Sequence, residues 1–226
     1  MTQDPTAVLD PAGRAALERV LALLAEERAS VSSVVDERAW QVHVADSLTG
    51  LEVPELHSAH RIADVGAGAG FPGLALAVAL PTAQIDLIES ISRKCAFMER
   101  AATEAGISNA TVLNTRSEEW ASSSGHELYD AVTARAVGRL STLAELASPL
   151  LKPNAVLIAW KGKRDPEEES QLETASESLA MTPEAVLDVG THAGSQHRHL
   201  HIIRKTGPTP PTLPRRPGMA KKRPRG

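Results

Sequence analysis

Asp64-Val65-Gly66-Ala67-Gly68-Ala69-Gly70-Phe71-Pro72-Gly73 is the stretch that decides how this chain is read. It follows Arg61-Ile62-Ala63-Asp64-Val65, a short β-type run, and precedes Gly73 to Leu80, an apolar piece of helical length. Glycine is needed where the backbone turns at positive φ, or where a ligand approaches with no Cβ in the way. Gly66, Gly68 and Gly70 therefore predict a tight strand-to-helix loop. In open α/β sheets, ligands settle outside the carboxyl ends of the strands, where such a loop must lie.

Outward from the loop, strand-like and helical runs alternate. Strands are expected at Ile85 to Glu89, Ala110 to Leu113, Tyr129 to Ala134 and Ala155 to Trp160, with helices at Ser92 to Ala105, Leu140 to Leu151 and Pro166 to Leu179. Helix-linked strands pair in parallel, because each crossover needs a helix to cover the sheet face. The last two runs, Ala185 to Val189 and Leu200 to Arg204, are joined through Gly190–Ser195 and predict an antiparallel hairpin at the sheet edge. Upstream, residues 11–29 read as an amphipathic helix entered through Asp10-Pro11, a cap followed by proline at the first helical position. A second helix is expected over Asp36 to Leu51, broken by Val53-Pro54. The expected division is an N-terminal helical extension (1–58), a doubly wound α/β domain of seven strands (59–206) and a basic, proline-rich tail (207–226).

The second strand ends at Glu89, 19 residues after Gly70. A carboxylate there can accept from both ribose hydroxyls of an adenosine, the usual partner of a glycine loop. Gly68-Ala69-Gly70-Phe71-Pro72-Gly73 also satisfies the dinucleotide pattern G-x-G-x-x-G. That pattern needs backbone amides to hold a pyrophosphate at a helix N-terminus. Here Pro72 has no N–H, Phe71 adds bulk, and Asp64 sets an acid near the phosphate position. An acid suits a cationic methionyl group better, so S-adenosylmethionine is expected over a nicotinamide or flavin. The alternative without chemistry is a glycine turn that only packs helix on strand.

Apolar residues form 42% of the 226-residue chain, enough for a substantial core, while the single cysteine, Cys95, rules out an intrachain disulfide. No signal-like N-terminus and no apolar run of membrane length is present, so a cytoplasmic protein is expected. Net charge is −4, with 24 basic and 28 acidic residues. Beyond residue 206 the chain carries Arg215, Arg216, Lys221, Lys222, Arg223 and Arg225 and no acid; taking these 6 from 24 leaves 18 against 28, about −10 for the body. Such a tail points to a local polyanion contact or, more plainly, to a solvated end. His197, Arg198, His199 and His201 suggest metal ligands at a glance, but alternate strand residues face opposite ways and no second ligand group is evident, so no metal is expected.

With these residues in view, the chain resembles the small-subunit ribosomal RNA guanine-N7 methyltransferases, the glucose-inhibited division protein B family, and through them the Rossmann-like class I methyltransferase fold. Beyond the glycine loop, the resemblance rests on His43-Val44-Ala45-Asp46-Ser47, Glu89-Ser90 with Arg93-Lys94 and Phe97, Arg116-Ser117-Glu118-Glu119, Thr133-Ala134-Arg135-Ala136, Lys161-Gly162, Arg198-His199-Leu200 and the tail from Pro214 to Pro224. It departs at Arg28 to Ser33, at Val42 and at Leu213. It implies methyl transfer from S-adenosylmethionine to N7 of a guanine in 16S ribosomal RNA, as naked RNA or within the small subunit; a monomer is expected, although the sequence does not fix the oligomeric state.

The expected cofactor residues are Asp64, Gly66, Gly68, Gly70, Phe71, Glu89, Ser117, Glu118 and Arg135, with Ser117 and Glu118 placed at the adenine by the resemblance. Arg135 and Lys161, at the ends of the fourth and fifth strands, are the candidates for holding cofactor or guanine. RNA contacts are expected from His43, Arg198, Arg215, Arg216, Lys221 and Lys222. His43 and Ser47, four apart on a helix, either cover the site mouth or share a helix-internal hydrogen bond. N7 has a lone pair and no proton, so the absence of a catalytic triad is no objection. A small-molecule or protein methyltransferase, a nicotinamide-binding oxidoreductase and a non-catalytic assembly factor remain as alternatives.

Overall fold

Alternation along the strands builds the architecture. Ile62, Ala131, Val156 and Ile158 face one core, while Ala63, Val132, Leu157 and Ala159 face the other. A sheet apolar on both faces must be covered on both. In a computed structural model describing residues 4–27, 31–189 and 197–225, the helices do this in two layers. Strands β1 (Arg61–Val65), β2 (Gln84–Glu89), β3 (Ala110–Asn114), β4 (Tyr129–Arg135), β5 (Leu151–Lys161), β6 (Met181–Asp188) and β7 (His199–Lys205) form a sheet of order β3-β2-β1-β4-β5-β7-β6. The first five are parallel; β7 runs antiparallel to β5 and β6. The chain reverses its strand order between β1 and β4, which opens a crevice at their carboxyl ends.

On one face lie α1 (Pro11–Glu26), the short α2 (Asp46–Leu48) and α3 (Pro54–Ser58), α4 (Gly73–Ala79) and α5 (Ser92–Glu104); on the other lie α6 (Ser117–Ala121), α7 (Leu140–Ala147) and α8 (Pro166–Leu179). Helix α1 begins as expected, with Asp10 accepting from the Gly13 amide at 2.7 Å, and ends at Glu26; the expected extension over 28 and 29 lies outside the described residues, as does the turn at 190–195.

The second N-terminal helix differs from its expected form. Trp40–Ala45 is a π-helical turn, followed by α2 and a 3₁₀ turn, Thr49–Glu52. Such departures from α geometry concentrate at functional sites. Trp160 of β5 clamps this segment, donating Nε1–H to Asp46 O (2.9 Å) and Thr49 Oγ1 (3.2 Å). Gly50 lets the indole in, since a Cβ there would lie 2.6 Å from it.

Two strands exceed their expected limits by several residues. β5 begins at Leu151, so α7 stops at Ala147, four residues before the expected end. β6 begins at Met181, where exposed Thr182, Pro183 and Glu184 hide the alternation. Proline is tolerated there because β6 is the edge strand and its register shifts at Pro183/Ala185. Helix α6, five residues long, is too short for periodicity to reveal. Among the described residues no helix is long and apolar enough to cross a membrane, and no group of His, Cys, Asp or Glu could hold a metal.

Candidate active site

The glycine loop leaves β1 by folding over the end of β2. The amides of Gly66 and Ala67 donate to Ile88 O at 2.8 and 3.2 Å. Gly68 has φ +61°, and a Cβ there would meet only Gly66 O, at 3.7 Å, so the turn demands glycine and its outer side is open. Glu89, 7% exposed, steadies this turn: one carboxylate oxygen accepts from the Gly68 amide (3.2 Å), the other from the Ile91 amide (2.9 Å). A carboxylate offers about four acceptor sites, so among the described residues one on each oxygen remains.

Asp64 lies beneath the loop, buried, accepting from the Gly73 amide (2.9 Å) and the Thr133 hydroxyl (3.1 Å). Burial outweighs these two donors and pushes its carboxyl up to about 6.

Above Glu89 opens a cleft of about 530 Å³, within the range of small-molecule sites. Gly66, Glu89, Ile91, Ser117, Ala136 and Val137 line it from four strand ends. Ile91 is 47% exposed, an unusual state for an isoleucine and a ready apolar surface for a flat ring. Ala136, directly after β4, holds φ +60°, a left-handed conformation that costs an L-residue about 1–2 kcal/mol. Strain of this kind clusters at functional sites. The fourth side of the cleft is unexpected: Gly218, Ala220, Lys221 and Lys222 of the C-terminal tail line it too.

Beside the loop lies a cluster built on Asp46. Its carboxylate, with 4% side-chain exposure, accepts from Arg135 Nη1 (2.7 Å), from Arg198 Nη2 (2.8 Å) and from Arg198 Nε. Arg135 Nη1 also donates to Val42 O (2.8 Å), and its Nη2 faces His43 Nδ1 at 3.5 Å. His43 Nε2 lies 2.9 Å from Val34 O, which can only accept, so Nε2 carries the proton and Nδ1 presents its lone pair to the arginine. Burial lowers the imidazole below its ordinary value, which keeps it neutral at pH 7. The ring stacks on Phe71 at a 5.0 Å centroid distance, so the glycine loop and the arginine cluster share a wall.

The family model of rRNA small subunit methyltransferase G matches residues 17–201. The chain belongs to this family. It is 36% identical over 186 residues to the ribosomal RNA small subunit methyltransferase G of Limosilactobacillus reuteri, covering 80% of this chain and 77% of that protein. Its identity to the Moorella thermoacetica protein of the same name is 33% over 230 residues, covering 99% and 95%. In fold it is similar to a SAM-dependent methyltransferase from Aquifex aeolicus, with TM-score 0.55, 18% identity and coverage of 76% and 94%. The expected class I methyltransferase architecture is therefore present.

Within this family member, the structure brings Gly66, Glu89, Ser117 and Glu118 to the cleft. Asp64, Gly70 and Phe71 are buried behind it. Arg135 joins His43 and Arg198 at Asp46 instead of lining the cavity. Ser47 donates its hydroxyl to His43 O, the helix-internal bond. Lys161 spends two of its three donors on Glu168 (2.6 Å) and Gly138 O (3.1 Å), which ties down the turn after β4. Glu118 accepts from Ser117 Oγ (3.2 Å) and from the Gly218 amide (2.8 Å). Arg215 is paired with Glu145, whereas Arg216, Lys221 and Lys222 are exposed.

Sequence reasoning missed Asp46 as the centre of the cluster, Ile91 as a cleft surface, and the tail as a wall. Only Ile91 left a signal: an apolar residue just outside the helix start, two positions after the acid.

Proposed function

We propose that this chain transfers a methyl group from S-adenosylmethionine to N7 of a guanine in 16S ribosomal RNA, with the adenosine in the cleft above Glu89. The observation that carries the reading is the convergence of Gly66, Glu89, Ile91 and Ser117 on one cavity in a chain of this family. The residues fit the cofactor. The two free acceptor sites of Glu89 match two ribose hydroxyls, the exposed face of Ile91 matches an adenine, and the open side of Gly68 admits the backbone's close approach.

Bound S-adenosylmethionine supplies an electrophilic methyl group on a sulfonium. N7 of guanine has an in-plane lone pair, so no side chain has to remove a proton. What the chain must supply is alignment, for which good orientation is worth about 7–11 kcal/mol. Arg135 and Arg198 are set for this task. Their described bonds to Asp46, Val42 and His43 fix both guanidiniums, while Arg135 Nε and Arg198 Nη1 keep donors for guanine O6 or a phosphate. N7 itself takes no donor, because its lone pair is the nucleophile. His43 acts from behind, bracing Arg135 and Phe71. Lys161 holds the turn that carries Ala136 and Val137 into the cleft. Arg216, Lys221 and Lys222 take phosphates, which adds affinity without sequence choice.

The test is incubation with labelled S-adenosylmethionine and unmodified small subunits, followed by mapping of the labelled base. Label on one guanine N7 of 16S rRNA is expected. Cofactor binding with no transfer to that RNA would overturn the proposal.

A further inference from the structure

The tail reads in sequence as a basic, proline-rich end that meets a polyanion or stays solvated, and the family-model match, residues 17–201, stops short of it. In the structure it is folded onto the α/β body by contacts of several kinds. Thr209 gives its amide and hydroxyl to Glu127 at 2.7 and 2.8 Å. Leu213 is buried in the same core as α7 and α8. Arg215 chelates the buried Glu145 of α7 and donates to Arg223 O (2.8 Å), which closes the segment into a loop. At its end, α9 (Met219–Lys222) seats Ala220, 2% exposed, with Thr142 of α7 donating to Ala220 O at 3.3 Å.

The turn that precedes α9 is held by Glu118. Gly218 has φ +79°, and its amide donates to Glu118 Oε1 at 2.8 Å. The other oxygen of Glu118 is taken by Ser117, so this buried carboxylate is turned toward the tail. Gly218, Ala220, Lys221 and Lys222 then line the same cleft as Gly66, Glu89 and Ile91.

We propose that the C-terminal segment Pro217–Lys222 is a wall of the adenosine cleft, and that Glu118 is a positioning residue that acts through it by holding Gly218. The inference rests on the cofactor reading above. A tail that only gathers RNA phosphates would leave cofactor affinity untouched. A tail that walls the cleft adds buried surface to the adenosine, and its loss exposes that surface to water.

Calorimetry with S-adenosylhomocysteine on the full chain and on a chain ending at Pro217 tests this. The truncation is expected to raise Kd at least tenfold; a value within twofold of the full chain overturns the proposal. Glu118→Ala should weaken binding in the full chain but add nothing in the truncated one, and Glu118→Gln should restore it, because an amide oxygen still accepts from Gly218. Additive losses in this cycle would show Glu118 acting independently of the tail and overturn the latch. Trypsin supplies a measurement that needs no variant: S-adenosylhomocysteine should slow cleavage after Lys221 and Lys222 in the full chain, and an unchanged rate counts against the proposal. If the full chain itself gives no binding heat, the cofactor reading falls and takes this one with it.

Discussion

Replacing Asp46 by alanine should destabilise the fold by about 3–4 kcal/mol and disable methyl transfer in the same step. The carboxylate is almost wholly buried and carries three charge-assisted hydrogen bonds from two guanidiniums. Such bonds contribute about 1.5–3 kcal/mol each when counted singly, but they share one acceptor group and do not add. Removing one partner of a buried pair typically costs about 3–5 kcal/mol, because the other charge stays behind unpaired. Arg135, 11% exposed, would suffer most of this; Arg198, 21% exposed, can recruit water, which favours the lower end.

A chain of this size shifts its Tm by about 2–4 °C per kcal/mol, so a fall on the order of 10 °C is expected. Because native stabilities run to about 5–15 kcal/mol, the variant should still fold at 25 °C. Thermal melts and urea denaturation at constant m-value would measure the loss, alongside single-turnover methylation of unmodified subunits. Adding Arg198→Met to Asp46→Ala should recover part of the stability by removing one orphaned charge. A melting temperature for Asp46→Ala within 2 °C of the parent would refute the reasoning, since it would mean that the cluster is as well solvated as a surface ion pair.

Arg135→Ala leaves Asp46 paired with Arg198, so it should cost only about 1–2 kcal/mol of stability while lowering methylation on the order of 100-fold or more. Full activity in that variant would remove Arg135 from the site. Asp64 predicts a pH dependence. Its folded carboxyl, near 6, lies above the ordinary 3.8, so the folded state holds the proton more tightly than the unfolded one. Its contribution to stability is therefore greatest below about pH 4 and is lost as pH rises through 6, a span worth about 3 kcal/mol. Asp64→Asn should remove that slope; parallel stability–pH curves for the two proteins would contradict the assignment. Finally, Lys221→Gln with Lys222→Gln in the full chain should reduce the slope of log K for RNA against log salt by about 1.4–1.8, the amount expected for two phosphate contacts. Filter binding across a salt series reads this directly, and an unchanged slope would clear both lysines of phosphate contact.

The parts of the site legible in the sequence are those whose geometry is local. Glu89 reaches the glycine turn because β1 and β2 are neighbouring parallel strands, an arrangement fixed once the intervening piece is read as a crossover helix. Arg135 stands out in the sequence as a strand-end candidate for cofactor or guanine, but the residues that hold it, Asp46, Val42 and His43, are not legible there. Nothing local links it to Asp46, 89 positions earlier, or links Asp46 to Arg198, 152 positions later. Lys161 lies only seven positions from Glu168, yet the seating of α8 is what puts that carboxylate on its ammonium.

The sequence by itself determined the alternation of strands and helices, the glycine turn and the acid that supports it, because periodicity, backbone freedom and a short crossover are properties of neighbouring residues. Tertiary structure alone decided which charges are neutralised, which face of Ile91 stays open and that tail residues line the cleft. These depend on burial and on partners far along the chain, and a charged residue looks the same in a sequence whether it ends in water or beneath a helix.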